Sequence, residues 1–134
     1  MRQILTASLF ACLLAGSATA GCKDNFTSLG LPLLSQIEYR TQETYKGLGQ
    51  ATAAKRIAAR LKAEGYFDVR RSGGVVTARQ ETSGSGRPQE LRFIIGEKSG
   101  RTTIEAIFTV QQGQVAGKRV VRDELCRLIA TAAG

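Results

Sequence analysis

Thiols, carboxylates and guanidinium groups are the side chains of this chain with chemistry to offer. Beyond residue 20 there are two cysteines, Cys22 and Cys126, one near each end. Two thiolates supply too few ligands for a metal site, so the chemistry open to them is a disulfide or, at Cys22, covalent lipid attachment, with two free thiols as the remaining alternative. Asp68, Glu81, Glu90, Glu97, Glu105, Asp123 and Glu124 are candidates for an acid–base pair, but nothing in their spacing selects two of them. The chain has no histidine, which excludes triads and dyads built on imidazole and the usual zinc sites. The sequence therefore nominates no catalytic, cofactor-binding or metal-ligating residue.

One glycine-rich stretch tests that conclusion. Gly47-Leu48-Gly49-Gln50-Ala51-Thr52 follows a strand pattern and opens a helix pattern, where phosphate-cradling loops sit, and Asp68 lies at a suitable distance beyond it. The third small position is Thr52, however, and no second parallel crossover follows. A flexible entry to the helix fits better, leaving backbone amides there free to meet an adventitious anion.

Arginine dominates the cations. Arg70, Arg71, Arg79, Arg87, Arg92 and Arg101 fall in one strand-and-loop region and form the candidate binding surface, with Lys118, Arg119, Arg122 and Arg127 on a later helix. Guanidinium forks suit carboxylate or phosphate. Nucleic acid needs stacking platforms or a reading helix as well, and the few Tyr and Phe fall mostly at core phases, so no nucleic-acid partner is expected. Lys and Arg number 19 against 11 Asp and Glu, a net +8. The partners this implies are a protein or an anionic envelope component, against the plainer reading of scattered charge that keeps the protein soluble.

Residues 1–20, MRQILTASLFACLLAGSATA, have the layout of a secretory signal peptide: Arg2, an apolar run to about Ala15, then small residues ending Ala18-Thr19-Ala20. The run is too short for a permanent membrane anchor, and no later stretch reaches transmembrane length. Two processing routes remain open at residues 16–22, GSATAGC. Cleavage after Ala20 leaves a periplasmic protein whose Cys22 and Cys126 form a bridge. Cleavage before Cys22 makes an outer-membrane lipoprotein with peripheral membrane association and an unpaired Cys126. Thr19, where lipid boxes usually carry Leu, and the polar spacer Gly16–Thr19 favour the first route.

The elements that position these residues follow from periodicity. Residues 21–30 read as an irregular lead-in to a single domain over 31–134. Alternation predicts a half-buried strand from Leu33 to about Thr44. Ala54, Ile57, Ala58 and Leu61 recur at helical spacing up to a stop at Gly65. Two short strands flank Ser72-Gly73-Gly74, and a loop, ETSGSGRPQ, follows them. The clearest hairpin joins ELRFIIGE to TTIEAIFTVQQ, with Leu91, Phe93 and Ile95 facing the same way as Ile104, Ala106, Phe108 and Val110, and these two strands are expected at the centre of the sheet. Val121, Leu125, Leu128 and Ala132 line a final helix, and Cys126 lies on the flank of that stripe. The order β-α-β-β-β-β-α predicts an α+β fold, an antiparallel sheet with both helices on one face.

The run ATAAKRIAARLKAEGYFDVRRSGGVVTARQ, an amphipathic helix, Gly-aromatic, a short strand and a Gly-initiated strand, resembles the helix-grip domains of BamC-type outer-membrane assembly lipoproteins. That resemblance spans roughly residues 31 to 132. It implies a curved sheet gripping its helices, and a binding or accessory role without catalytic residues. The expected function is thus a non-enzymatic envelope protein acting through protein contact. The alternatives are an inhibitor or immunity protein against an envelope-acting enzyme and, less favoured, an exported carboxylate-dependent hydrolase.

Overall fold

The computed structural model describes residues 20–81 and 87–134. The secretory signal over residues 1–20 lies outside them apart from Ala20, as does the middle of the ETSGSGRPQ loop. The elements run β1 (Thr27–Leu29), β2 (Ile37–Lys46), α1 (Gln50–Ala63), β3 (Phe67–Ser72), β4 (Val75–Gln80), β5 (Gln89–Lys98), β6 (Arg101–Val110) and α2 (Lys118–Ala130), closed by a 3-10 turn, Thr131–Ala133. All strands pair antiparallel in the order β1-β2-β6-β5-β4-β3. This is the expected α+β architecture, with the β5–β6 hairpin at the centre.

Side chains alternate across a strand, so each of the long strands supplies two surfaces. One is the core. Ile37 and Tyr39 of β2, Val76 and Ala78 of β4, Leu91, Phe93 and Ile95 of β5, and Ile104, Ala106, Phe108 and Val110 of β6 all face the helices and are buried. Ala53, Ala54, Ile57, Ala58 and Leu61 are the buried stripe of α1, whose small alanines allow close approach to the sheet. The helix stops where Gly65 turns to φ +85°. There Tyr66 N–H donates to the Leu61 carbonyl at 3.0 Å and Gly65 N–H to that of Lys62 at 3.2 Å, a Schellman end. Val121, Leu125, Leu128 and Ile129 are the matching face of α2.

Two boundaries differ from expectation. The first long strand begins at Ile37 rather than Leu33. Leu33 has φ +68°, and the Leu31 carbonyl accepts from Leu34 N–H at 3.2 Å and Ser35 N–H at 3.0 Å. A local turn, reinforced by the Ser35 hydroxyl on Leu31 N–H at 2.9 Å, therefore outcompetes the alternation, leaving Leu33 and Leu34 exposed. The lead-in is also not wholly irregular: β1 pairs with β2 through Thr27↔Arg40 to Leu29↔Glu38.

Cys22 and Cys126 lie at disulfide distance, S–S 2.04 Å, 104 residues apart in sequence. Both are buried, and the bridge ties the lead-in to α2. The Thr41 hydroxyl donates to the Cys22 carbonyl beside it. Among the described residues no helix is long and apolar enough to cross a membrane.

Candidate functional site

The second surface of the sheet carries neither helix. Register arranges its side chains in rows that run across the strands. One row is Arg40, Ile107, Arg92, Thr77 and Arg70, successive partners from β2 to β3. On one side of it lies Glu38, Thr109, Glu90 and Arg79; on the other lies Gln42, Glu105, Ile94 and Val75. Three arginines thus stand in line between two rows that contribute carboxylates.

Every one of these arginines is engaged. Arg40 donates to Glu38 and, from Nη1, to Glu105 at 3.0 Å. Arg92 Nη2 donates to Glu90 at 3.0 Å. Arg70 Nε donates to Asp68 at 2.8 Å, and Arg79 pairs with the other oxygen of that carboxylate at 3.7 Å. Asp68 adopts φ +52° beside a register shift in β3, which brings one carboxylate within reach of two guanidinium groups. The Arg40–Glu38 contact holds Arg40 above its ordinary pKa. Four arginines and four carboxylates therefore neutralise one another, with aliphatic Ile94 and Val75 exposed among them.

Of the six arginines nominated from sequence, the fold brings together Arg70, Arg79 and Arg92. Arg71 stands opposite Val76 in the register and lines a separate groove toward α1 with Lys55 and Lys62. Arg101 opens β6 at the hairpin turn. Arg87 lies just before β5, where its carbonyl accepts from Gln114 Nε2 at 3.1 Å. The nomination missed Arg40 and Glu38, and Asp68, Glu90 and Glu105, named from sequence as acid–base candidates, stand here as ion-pair partners of the arginines. The alternation Glu38, Arg40, Gln42 already placed Arg40 on the outer side of its strand; only the register shows that it stands in line with Arg92.

The glycine-rich entry to α1 has an internal occupant. Gln50 N–H donates to the Glu97 carboxylate at 3.2 Å, and Gln50 Nε2 donates to the Ile95 carbonyl at 2.6 Å. The first helical amide thus meets a carboxylate of the β5 end, the position a phosphate would seek. Gly74 explains the tightness here: a Cβ on it would lie 2.3 Å from the Ile95 carbonyl oxygen and 2.4 Å from Gln50 Nε2.

The other charged feature joins the helices. Arg127 donates twice to Glu64, at 2.7 Å from each of Nη1 and Nη2, and to Glu124 at 2.6 Å, while Arg60 donates to Glu64 at 2.6 Å. The Arg127 hydrogen bonds, with help from Arg60, pull the Glu64 carboxyl down to about 2. Burial, with the nearby Glu124 charge, pushes the Tyr66 phenol up to about 12. These groups hold the end of α1 against α2 as a structural clasp.

No protein family and no curated protein matches the chain. Among solved structures it is similar to CalU16 from Micromonospora echinospora, with a TM-score of 0.54 and 11% identity, over 78% of this chain and 80% of that one. At that identity the likeness is one of fold alone.

Proposed function

We propose that this chain is a non-enzymatic binding or accessory protein of the cell envelope, exported to the periplasm, that acts through contact of its outer sheet face with a protein partner. The observation that carries the reading is the charge-balanced array on that face. A bare anion approaching Arg40, Arg70, Arg79 or Arg92 competes with a carboxylate already in place, so an acidic polymer gains little there. A protein surface with alternating charge exchanges these pairs for pairs of its own, and Ile94 and Val75 add apolar area between them. Arginine is also the charged residue that protein interfaces favour. The resemblance to envelope assembly lipoproteins and the signal-like leader support the location.

Photo-crosslinkers placed singly at Gln42 and Thr77 on the outer face, and at exposed Ala59 on α1, test this in cells. The outer-face probes are expected to give an adduct of one discrete mass, absent from the Ala59 probe and lost in Arg40→Glu/Arg92→Glu. Equal labelling from Ala59, or adducts that survive the charge reversal, would overturn the reading.

A further inference from the structure

On the opposite side of the sheet, independent of the outer-face reading, α2 does not seat fully on the strands. Between them lies a cavity of about 290 Å³. Its floor is Leu91 and Phe108, and its roof is Val121, Leu125 and Leu128. Gln89 enters it at the first position of β5, in phase with Leu91, Phe93 and Ile95. That phase belongs to the core, and a glutamine there breaks the apolar series.

Gln89 is only 7% exposed, and its carboxamide has no hydrogen-bond partner among the described residues. By contrast, Gln114, the nearest comparable buried glutamine, spends its amide on the Arg87 carbonyl and the Gln111 N–H. No buried side-chain nitrogen or oxygen among the described residues lacks a partner, so the unbonded amide atoms of Gln89 are accessible, open to whatever occupies the cavity. Water can reach this amide, but the floor and roof are hydrocarbon, and a ligand that covers them while hydrogen-bonding Gln89 removes that apolar surface from water. Two further groups on the lining limit the charge of a ligand. Glu124 presents a carboxylate that repels anions, and its own negative charge is already answered by Arg127, so it offers little to a cation. Tyr66, beside it, stays a neutral phenol through the physiological range.

We propose that this cavity is a binding site for a compact, uncharged, largely hydrocarbon molecule bearing one hydroxyl, carbonyl or amide group, which the Gln89 carboxamide hydrogen-bonds. At ~30 Å³ for each water-sized group, the space takes about ten heavy atoms. Small-molecule sites share this composition, apolar walls with one or two convergent polar groups.

Methyl-resolved NMR of the full oxidised protein, titrated with three probes of nearly equal size, tests the site. 4-Propylphenol is expected to shift the methyls of Leu91, Val121, Leu125 and Leu128 saturably. Propylbenzene, lacking the hydroxyl, is expected to bind the same methyls about tenfold more weakly, and 4-propylbenzoate, an anion, not to bind. Gln89→Leu should remove the advantage of 4-propylphenol over propylbenzene while still binding propylbenzene at the same methyls, which guards against the variant merely failing to fold. Shifts centred on exposed Leu29, Leu31, Leu33 and Leu34, preferential binding of the anion, or a phenol preference that survives Gln89→Leu would each overturn the proposal.

Discussion

The two faces of the sheet are built by the same strands one residue apart, and they differ in almost every physical respect. Phe93 and Ile104 face the helices and are fully buried, whereas their chain neighbours Arg92, Ile94 and Glu105 face solvent. The inner face gains its free energy from removing hydrocarbon from water and tolerates little loss of volume. The outer face is held by exposed ion pairs that contribute little to folding. Its sequence is therefore free to serve recognition, and substitutions on it are expected to alter binding without unfolding the protein.

The sharpest break of that contrast is a pair of truncations at adjacent positions. Phe93→Ala is expected to cost about 3–5 kcal/mol in urea unfolding, since the ring is fully buried in the core. Ile94→Ala, 41% exposed, is expected to cost less than about 1 kcal/mol. Equal losses would mean that the outer face is packed as a second core, and the recognition reading would lose its basis.

Next in size is the bridge that fastens the inner layer. Cys22 and Cys126 close a loop of 104 residues, for which chain entropy sets an upper figure of about 4–5 kcal/mol and practice gives about 2–4. Cys126→Ala is expected to lower the thermal midpoint under oxidising conditions, and the wild type to fall to the same midpoint on reduction. An unchanged midpoint would show that the lead-in adds nothing to α2, and intact-mass measurement before and after alkylation would then report whether the thiols are bridged at all.

How far these features were legible from sequence depends on the range of the interaction. Alternation over residues 91–95 and 104–110 reports a strand's own two faces, so the inner residues of the central hairpin were readable in full. The α1 stripe was readable for the same reason. Leu33 and Leu34 were misplaced because alternation counts hydrophobicity and is blind to a hydrogen-bonded turn closed by Ser35. The outer-face array lay further from reach. Arg40 and Arg92 are 52 positions apart, and only the β2–β6–β5 register, set through Ile107, makes them neighbours in a row. Gln89 was invisible as a site because a polar residue at a strand start is ordinary; its significance comes from the helix that roofs it.

The smallest effect sets one ion pair against another. Glu64 and Arg127 join the two helices with two hydrogen bonds of 2.7 Å each, while Arg40 and Glu105 join neighbouring strands on the outer face through one of 3.0 Å. Both are solvent-touched, so neither is worth a buried pair. The bidentate clasp is nonetheless expected to contribute about 1 kcal/mol, and Arg40→Ala to change stability by no more than about 0.5 kcal/mol. The clasp has a pH signature. The folded carboxyl of Glu64 titrates near 2, below its ordinary value of 4.5, so the unfolded chain binds its proton first as pH falls. Its stabilisation is full above about pH 4.5 and declines as pH drops toward 2. The stability gap between wild type and Glu64→Gln should therefore be widest near neutrality and close at about pH 2, measured by urea midpoint across that range. A gap that persists at pH 2 would assign the clasp to packing of the two side-chain stems rather than to charge, and the helical layer would then resemble the outer face in owing nothing to its ion pairs.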